Sequence, residues 1–394
     1  MKKSIAAREY DNILQTYKRL PIAVDHAEGC RIYDTGGNEY LDFLGGIAVN
    51  ALGHSHPKII SAVKAQIDKY MHVSNYFYQE PQIELAEALK NISGYGKVFF
   101  TNSGAESIEG TLKLVRRWGN KRKKNTILSF TGGFHGRTMG ALSLMDKPHY
   151  KADMGPFLSG IKVLPYNDTD ALKKNITDET AAIVIEFIQG EGGISSASEE
   201  FIKTIFELIE KYNFIVVADE IQSGVGRTGK FFSFEHFNVK PDVVTVAKGI
   251  GGGLPLGAIL TLDHLSDIFE SGMHGTTYGG NPVACAAGKV VIDELANGVM
   301  ENAENIGQYL EYELQKLLLK FPSLISEIRG KGLMRGLLMT FDAGEIVADL
   351  IKRKVLSNAA SGTVLRMVPP LIINKQDVDL FIERLDKCLK EKIS

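Results

Sequence analysis

FIVVADEIQ at residues 214–222 and DVVTVAKGIGGG at residues 242–253 decide how this chain folds. Each opens on an almost unbroken apolar run of strand-forming residues, the pattern of a strand buried on both faces of a parallel sheet. Each also ends on chemistry, the first on Asp219, Glu220 and Gln222, the second on Lys248 and a run of glycines. Ligands of open α/β sheets gather at the carboxyl ends of the strands, so an acid and a lysine leaving the same sheet edge mark a site there. Burial penalises an ammonium group and moves it towards the neutral, nucleophilic amine, which suits Lys248 to Schiff-base chemistry. Asp219 can fill the role that a pyridine cofactor demands, a carboxylate that keeps the ring nitrogen protonated and the ring an electron sink.

Outward from this pair, residues 97–101, 126–130, 181–188 and 258–262 are further short β-rich runs, with helical periodicity between several of them, as at 199–212. Alternating strands and helices imply an α/β fold with a mostly parallel sheet flanked by helices. Ahead of it, residues 57–70 and 81–90 read as amphipathic helices with proline in or near the first turn, and residues 31–44 as a hairpin around Gly36, Gly37 and Asn38. After Pro282 a helical stretch runs to Leu318, followed by a strand-like segment at 336–341 and helices at 344–353 and 377–390, the pattern of a smaller α+β C-terminal domain. The expected division is an N-terminal segment over 1–50, a large domain over 51–285 and a small one over 286–394.

Two more strand ends carry polar groups. Residues 101–107, TNSGAES, make a small turn into a helix expected to begin near Glu106, where backbone donors around Ser103, Gly104 and Ala105 suit an anion. After residues 126–130, Phe134 offers an aromatic face, and Arg137, three residues on, a guanidinium that can fork onto a carboxylate.

Bulk composition excludes other classes. With 45 basic and 47 acidic residues the net charge is −2, which gives no overall positive field for nucleic acid or anionic lipid. Three cysteines, Cys30, Cys285 and Cys388, without any CxxC spacing fit a reducing compartment, and the basic N-terminus lacks a following apolar segment, so a cytoplasmic location is expected. A P-loop imitation ending at Gly229-Lys230 fails because Phe231 stands where Ser or Thr must hold magnesium. His54 and His56 have no third ligand nearby and read as hydrogen-bonded turn residues, so no metal is expected; the basic run 116–124 reads as a solvated helix end.

Taken together, LDFLGGIAVNALGHSHP (41–57), SNYFYQEPQIELAEAL (74–89), NSGAE (102–106), FHGRT (134–138), QGEGG (189–193), DEIQSGVGRTG (219–229), AKGIGGGLPLGA (247–258) and HGTTYGGNP (274–282) resemble the class III aminotransferases of pyridoxal-phosphate (PLP) fold type I, in their acetylornithine branch, over nearly the whole chain. That resemblance implies PLP bound as a Schiff base on Lys248. Its phosphate would sit at Ser103, Gly104 and Ala105, its ring under Phe134, its nitrogen on Asp219 and its hydroxyl near Gln222. It further implies a homodimer in which Thr277 reaches the neighbour's phosphate and Thr276 its substrate, and a substrate carboxylate held by Arg137. Glu191 and Arg366 would pair as a switch that lets one pocket take two unlike substrates. The implied reaction moves the terminal amino group of N2-acetyl-L-ornithine to 2-oxoglutarate, in arginine biosynthesis. Succinylornithine, ornithine, an acylated lysine and 4-aminobutyrate are alternative donors. One departure is Phe187, where the family usually has proline.

Overall fold

The computed structural model describes residues 3–393. Its centre is a seven-stranded sheet of β1 (Lys97–Thr101), β2 (Thr126–Phe130), β3 (Ile161–Leu164), β4 (Thr180–Ile185), β5 (Ile215–Asp219), β6 (Val243–Val246) and β7 (Gly257–Thr261), in the order β1-β7-β6-β5-β4-β2-β3. Strand β7 runs antiparallel to both β6 and β1, and the other pairings are parallel. The sheet is therefore mostly parallel, as the apolar runs predict. Every residue of β2, β4, β5, β6 and β7 is buried, which explains why these strands carry no polar alternation. Sequence reading does not anticipate β3, a four-residue edge strand with an exposed Lys162 in its middle. It also runs 181–188 too long. The strand stops at Ile185, Glu186 turns into the site, and Ile188 pairs instead with Ser196 in a two-residue ribbon. Phe187 is fully buried against the rings of Phe234 and Phe237, so a core aromatic fills the place where proline is usual.

Helices α1 (Pro57–Lys69), α2 (Glu80–Ser93), α3 (Gly104–Asn120) and α4 (Glu199–Tyr212) belong to this body. Helix α3 starts earlier than expected, because Ser103 caps it by accepting the Glu106 N–H at 3.2 Å. Its apolar face, including Ile108, Leu112, Val115 and Trp118, lies against the sheet. The long helical stretch after Pro282 is two helices, α5 (Pro282–Glu294) and α6 (Met300–Lys320), separated by a turn in which Gly298 takes φ 113. Helix α5 packs on α1 and α2, whereas α6 packs on the C-terminal sheet.

That sheet is antiparallel, made of Ile325–Lys331, Met334–Met339, Val364–Met367 and Asn358–Ala360 in spatial order, with α7 (Ala343–Lys352) and α8 (Lys375–Ile393) alongside. The predicted hairpin is Arg31–Asp34 with Glu39–Asp42, and the latter pairs with Val355–Leu356, so the N-terminal segment shares a sheet with the C-terminal region. Not all of the basic run is solvated. Lys124 is buried and donates to the carbonyls of Asp178 and Tyr212, which it closes off from within. Among the described residues no helix is long and apolar enough to cross a membrane.

Candidate active site

A cavity of about 460 Å³, in the range of small-molecule sites, opens where the carboxyl ends of β1, β2, β4, β5 and β6 meet the turn leading into β7. Lys248 lines it two residues beyond β6. Its φ of 49 is the left-handed region that costs a residue with a Cβ about 1–2 kcal/mol, a strain of the kind found at functional sites. Burial lowers the Lys248 ammonium below the usual lysine value and the charge of Arg366 pushes the same way; together they outweigh Glu191, Asp219 and Glu186.

Asp219, at the end of β5, is 3% exposed, and its Oδ2 lies 2.7 Å from His135 Nδ1 while its Oδ1 accepts the Ile221 N–H at 3.1 Å. Burial disfavours the charged form of His135, but the hydrogen bond and charge of Asp219 prevail and raise its pKa. Beside them Glu186 accepts the N–H groups of Phe134 (2.8 Å) and Gly190 (3.2 Å), and burial pushes its carboxyl up to about 7. Sequence reading assigned no role to either residue. The rule that found Asp219 would have found Glu186, which closes β4 as Asp219 closes β5. His135 sits inside the FHGRT segment, where nothing in the local sequence marks it as the partner of Asp219.

Ser103, Gly104 and Ala105 line the cavity at the N-terminus of α3. A Cβ on Gly104 would come within 2.8 Å of Ile221 Cδ1, so glycine is needed for the close approach. Phe134 and Arg137 follow β2, and the Arg137 guanidinium lies 3.4 Å from the centroid of the Tyr150 ring. Gln222 lines the opposite wall, and its Oε1 accepts from Arg366 Nη1 at 3.0 Å. Arg366, 1% exposed, stands behind Gln222, where it also donates to Asn358 Oδ1 (3.0 Å) and to Glu191 Oε1. The fold thus brings Glu191 and Arg366 together across 175 residues. Burial works against the Glu191 carboxylate, yet Arg366 holds its pKa below the usual value.

Thr276 and Thr277 are not in this cavity. Thr276 Oγ1 accepts from Gly279 N (3.1 Å) and Asn102 Nδ2 (3.3 Å), and Thr277 is exposed. Of the two histidines weighed as ligands, His54 is hydrogen-bonded to Asp42 at 2.7 Å, whereas His56 Nδ1 is buried without a partner. Among the described residues no group of three or more His, Cys, Asp or Glu could hold a metal ion.

The model of the class III aminotransferase family matches residues 13–389. The chain belongs to the class III aminotransferases. It is 44% identical to the acetylornithine aminotransferase of Caldanaerobacter subterraneus, over 96% of this chain and 97% of that one, and 43% identical to that of Methanocaldococcus jannaschii, over 96% of each. Among solved structures, the ornithine aminotransferase of Toxoplasma gondii superposes with a TM-score of 0.94 at 29% identity, covering 98% of this chain and 94% of the other. The N-acetylornithine aminotransferase of Stenotrophomonas maltophilia superposes at 0.85 with 32% identity and 99% coverage of each chain. Class III aminotransferases depend on pyridoxal 5′-phosphate. The cavity fits that group, with a lysine of depressed pKa, a buried carboxylate, an aromatic face and a capped helix N-terminus around one space.

Proposed function

We propose that this aminotransferase moves the terminal amino group of N2-acetyl-L-ornithine to 2-oxoglutarate, giving N-acetyl-L-glutamate 5-semialdehyde and L-glutamate, a step of arginine biosynthesis. The observation that carries the reading is the convergence of Lys248, Asp219 and Arg137 on one cavity in a chain 44% identical to an acetylornithine aminotransferase.

When bound, PLP supplies a carbonyl that takes up amines and a ring that accepts electrons from the substrate carbon. Lys248 would hold the cofactor through Nζ and move a proton at the substrate's δ-carbon, as a base whose pKa burial lowers. Asp219, its carboxylate fixed by His135, would hold a proton at the ring nitrogen. Ser103, Gly104 and Ala105 would hold the phosphate at the N-terminus of α3, with Phe134 against the ring and Gln222 near its hydroxyl. Arg137 binds the substrate's α-carboxylate bidentately. Glu191 neutralises Arg366 while the amine donor is bound; when glutamate enters, its α-carboxylate displaces Glu191 and takes Arg366.

Tyr76, Phe77, Tyr78 and Tyr278 are strongly exposed, and Asn75 Nδ2 in the same segment donates to Thr276 O at 3.1 Å. An exposed aromatic cluster beside the Thr276 loop supports a homodimer that sets Thr276 and Thr277 into the neighbour's site. Three free, buried cysteines support a cytoplasmic location.

The likeness to ornithine aminotransferases keeps a second donor in view. Steady-state assays with N-acetylornithine, N-succinylornithine, ornithine and 4-aminobutyrate at matched 2-oxoglutarate separate them. The highest kcat/KM for N-acetylornithine is expected; a higher value for any other amine overturns the assignment.

A further inference from the structure

We propose that Tyr150 is a positioning residue that fixes the plane of the Arg137 guanidinium and so presets its grip on the substrate carboxylate; this rests on the reading of Arg137 as the carboxylate-binding residue. Arg137 is exposed and makes no hydrogen bond or ion pair with another described residue. An arginine in that situation ordinarily samples many rotamers and loses that freedom when it binds. Here its guanidinium carbon lies 3.4 Å from the centre of the Tyr150 ring, a face-on stack, and 5.6 Å from the centre of Phe134. The two rings stand at 89° to each other with centroids 6.3 Å apart, so the cation sits in an aromatic corner.

Stacking covers the face of the guanidinium and leaves its edge, which carries the N–H donors, open to the cavity. The platform is itself anchored. Tyr150 lies in the one-turn helix Pro148–Lys151, and Lys151 donates to Met145 O at 3.0 Å and lies over the Phe157 ring. The Tyr150 hydroxyl has no hydrogen-bond partner among the described residues, so the ring face carries the effect.

Glutarate, an unreactive dicarboxylate, tests this by calorimetric titration of the holoenzyme. Ordering on binding a rotamer-rich side chain that the ring no longer holds should weaken binding about 3- to 12-fold in Tyr150→Leu, while Tyr150→Phe stays within about twofold of the parent. In turnover, Tyr150→Leu should raise the KM for N-acetylornithine by a similar factor with kcat little changed. N-acetyl-1,4-diaminobutane, the same donor without its α-carboxylate, should be used by the Leu variant and the parent with equal kcat/KM. Unchanged glutarate binding in Tyr150→Leu, equal loss in the Phe variant, or equal loss with the carboxylate-free amine overturns the proposal. Arg137→Gln is the control for the underlying reading: if it leaves discrimination between the two amines intact, Arg137 is not the carboxylate residue, a result distinct from failure of Tyr150 alone.

Discussion

Replacing Glu191 by alanine removes the one carboxylate that meets Arg366 among the described residues and leaves a buried guanidinium facing two neutral acceptors, Gln222 and Asn358. On the proposed switch, the α-carboxylate of glutamate must first displace Glu191 in the parent enzyme. A hydrogen bond to a charged group contributes about 1.5–3 kcal/mol, so removing the competitor should speed the glutamate half reaction roughly 10- to 100-fold in kcat/KM. The N-acetylornithine half reaction should slow, because an unneutralised cation then stands beside the incoming amine. Folding should suffer too. Stripping one partner from a buried pair costs about 3–5 kcal/mol when both charges are enclosed. Because the Glu191 side chain is 27% exposed, the lower end of that range applies. Single-turnover absorbance of the holoenzyme, mixed separately with each amino donor, reads both directions. An equal loss in both would refute the switch and leave only a structural ion pair.

Asp219→Asn keeps shape but removes the charge that His135 and the ring nitrogen need; turnover should fall by several orders of magnitude with cofactor still bound, and near-normal turnover would show that another acid does this work. Gly190→Ala would place a Cβ 2.3 Å from Gln222 Cδ, forcing Gln222 off Arg366 and out of the cavity wall; loss of cofactor affinity, read by fluorescence titration, is expected. Glu220 is fully buried, and burial raises its pKa from the ordinary 4.5 to about 7, so between these values the folded state holds a proton that the unfolded state releases. Its contribution to stability is complete below pH 4.5 and is lost as pH rises through about 7. Melting curves between pH 4.5 and 8 should therefore show the parent losing stability relative to Glu220→Gln as pH rises, and a constant difference would contradict the shift. If Thr277 serves the neighbouring site, dilution to monomer should release cofactor and activity together, and an active monomer in sedimentation would contradict it.

Continuously apolar strands with a polar residue at the carboxyl end were legible from sequence, because burial on both faces removes every competing pattern. Hence β2, β5, β6 and β7, together with the strand-end positions of Asp219 and Lys248, could be placed by reading alone. The edge strand β3 was not, since one exposed lysine in four residues erases the signal. The break between α5 and α6 was missed although Asn297-Gly298, a turn-forming dipeptide, marks it in the sequence; there Asn297 leaves helical dihedrals and Gly298 takes φ 113. In the site, residues whose role is intrinsic to their chemistry stood out, while those defined by a partner did not. His135 matters because Asp219 lies 2.7 Å away, Tyr150 because a guanidinium rests on its face, and neither relation leaves a local trace in the chain.

The nitrogen that reaches 2-oxoglutarate is the terminal amine of N2-acetyl-L-ornithine, and its transfer depends on Lys248 as anchor of the cofactor and proton carrier. N2-acetyl-L-ornithine labelled with ¹⁵N at the δ-amine, incubated with the pure holoenzyme and 2-oxoglutarate, should yield glutamate carrying the label at one ¹⁵N per molecule formed, and Lys248→Ala should yield none. Unlabelled glutamate, no glutamate at all, or full labelling by the Lys248→Ala variant would contradict it.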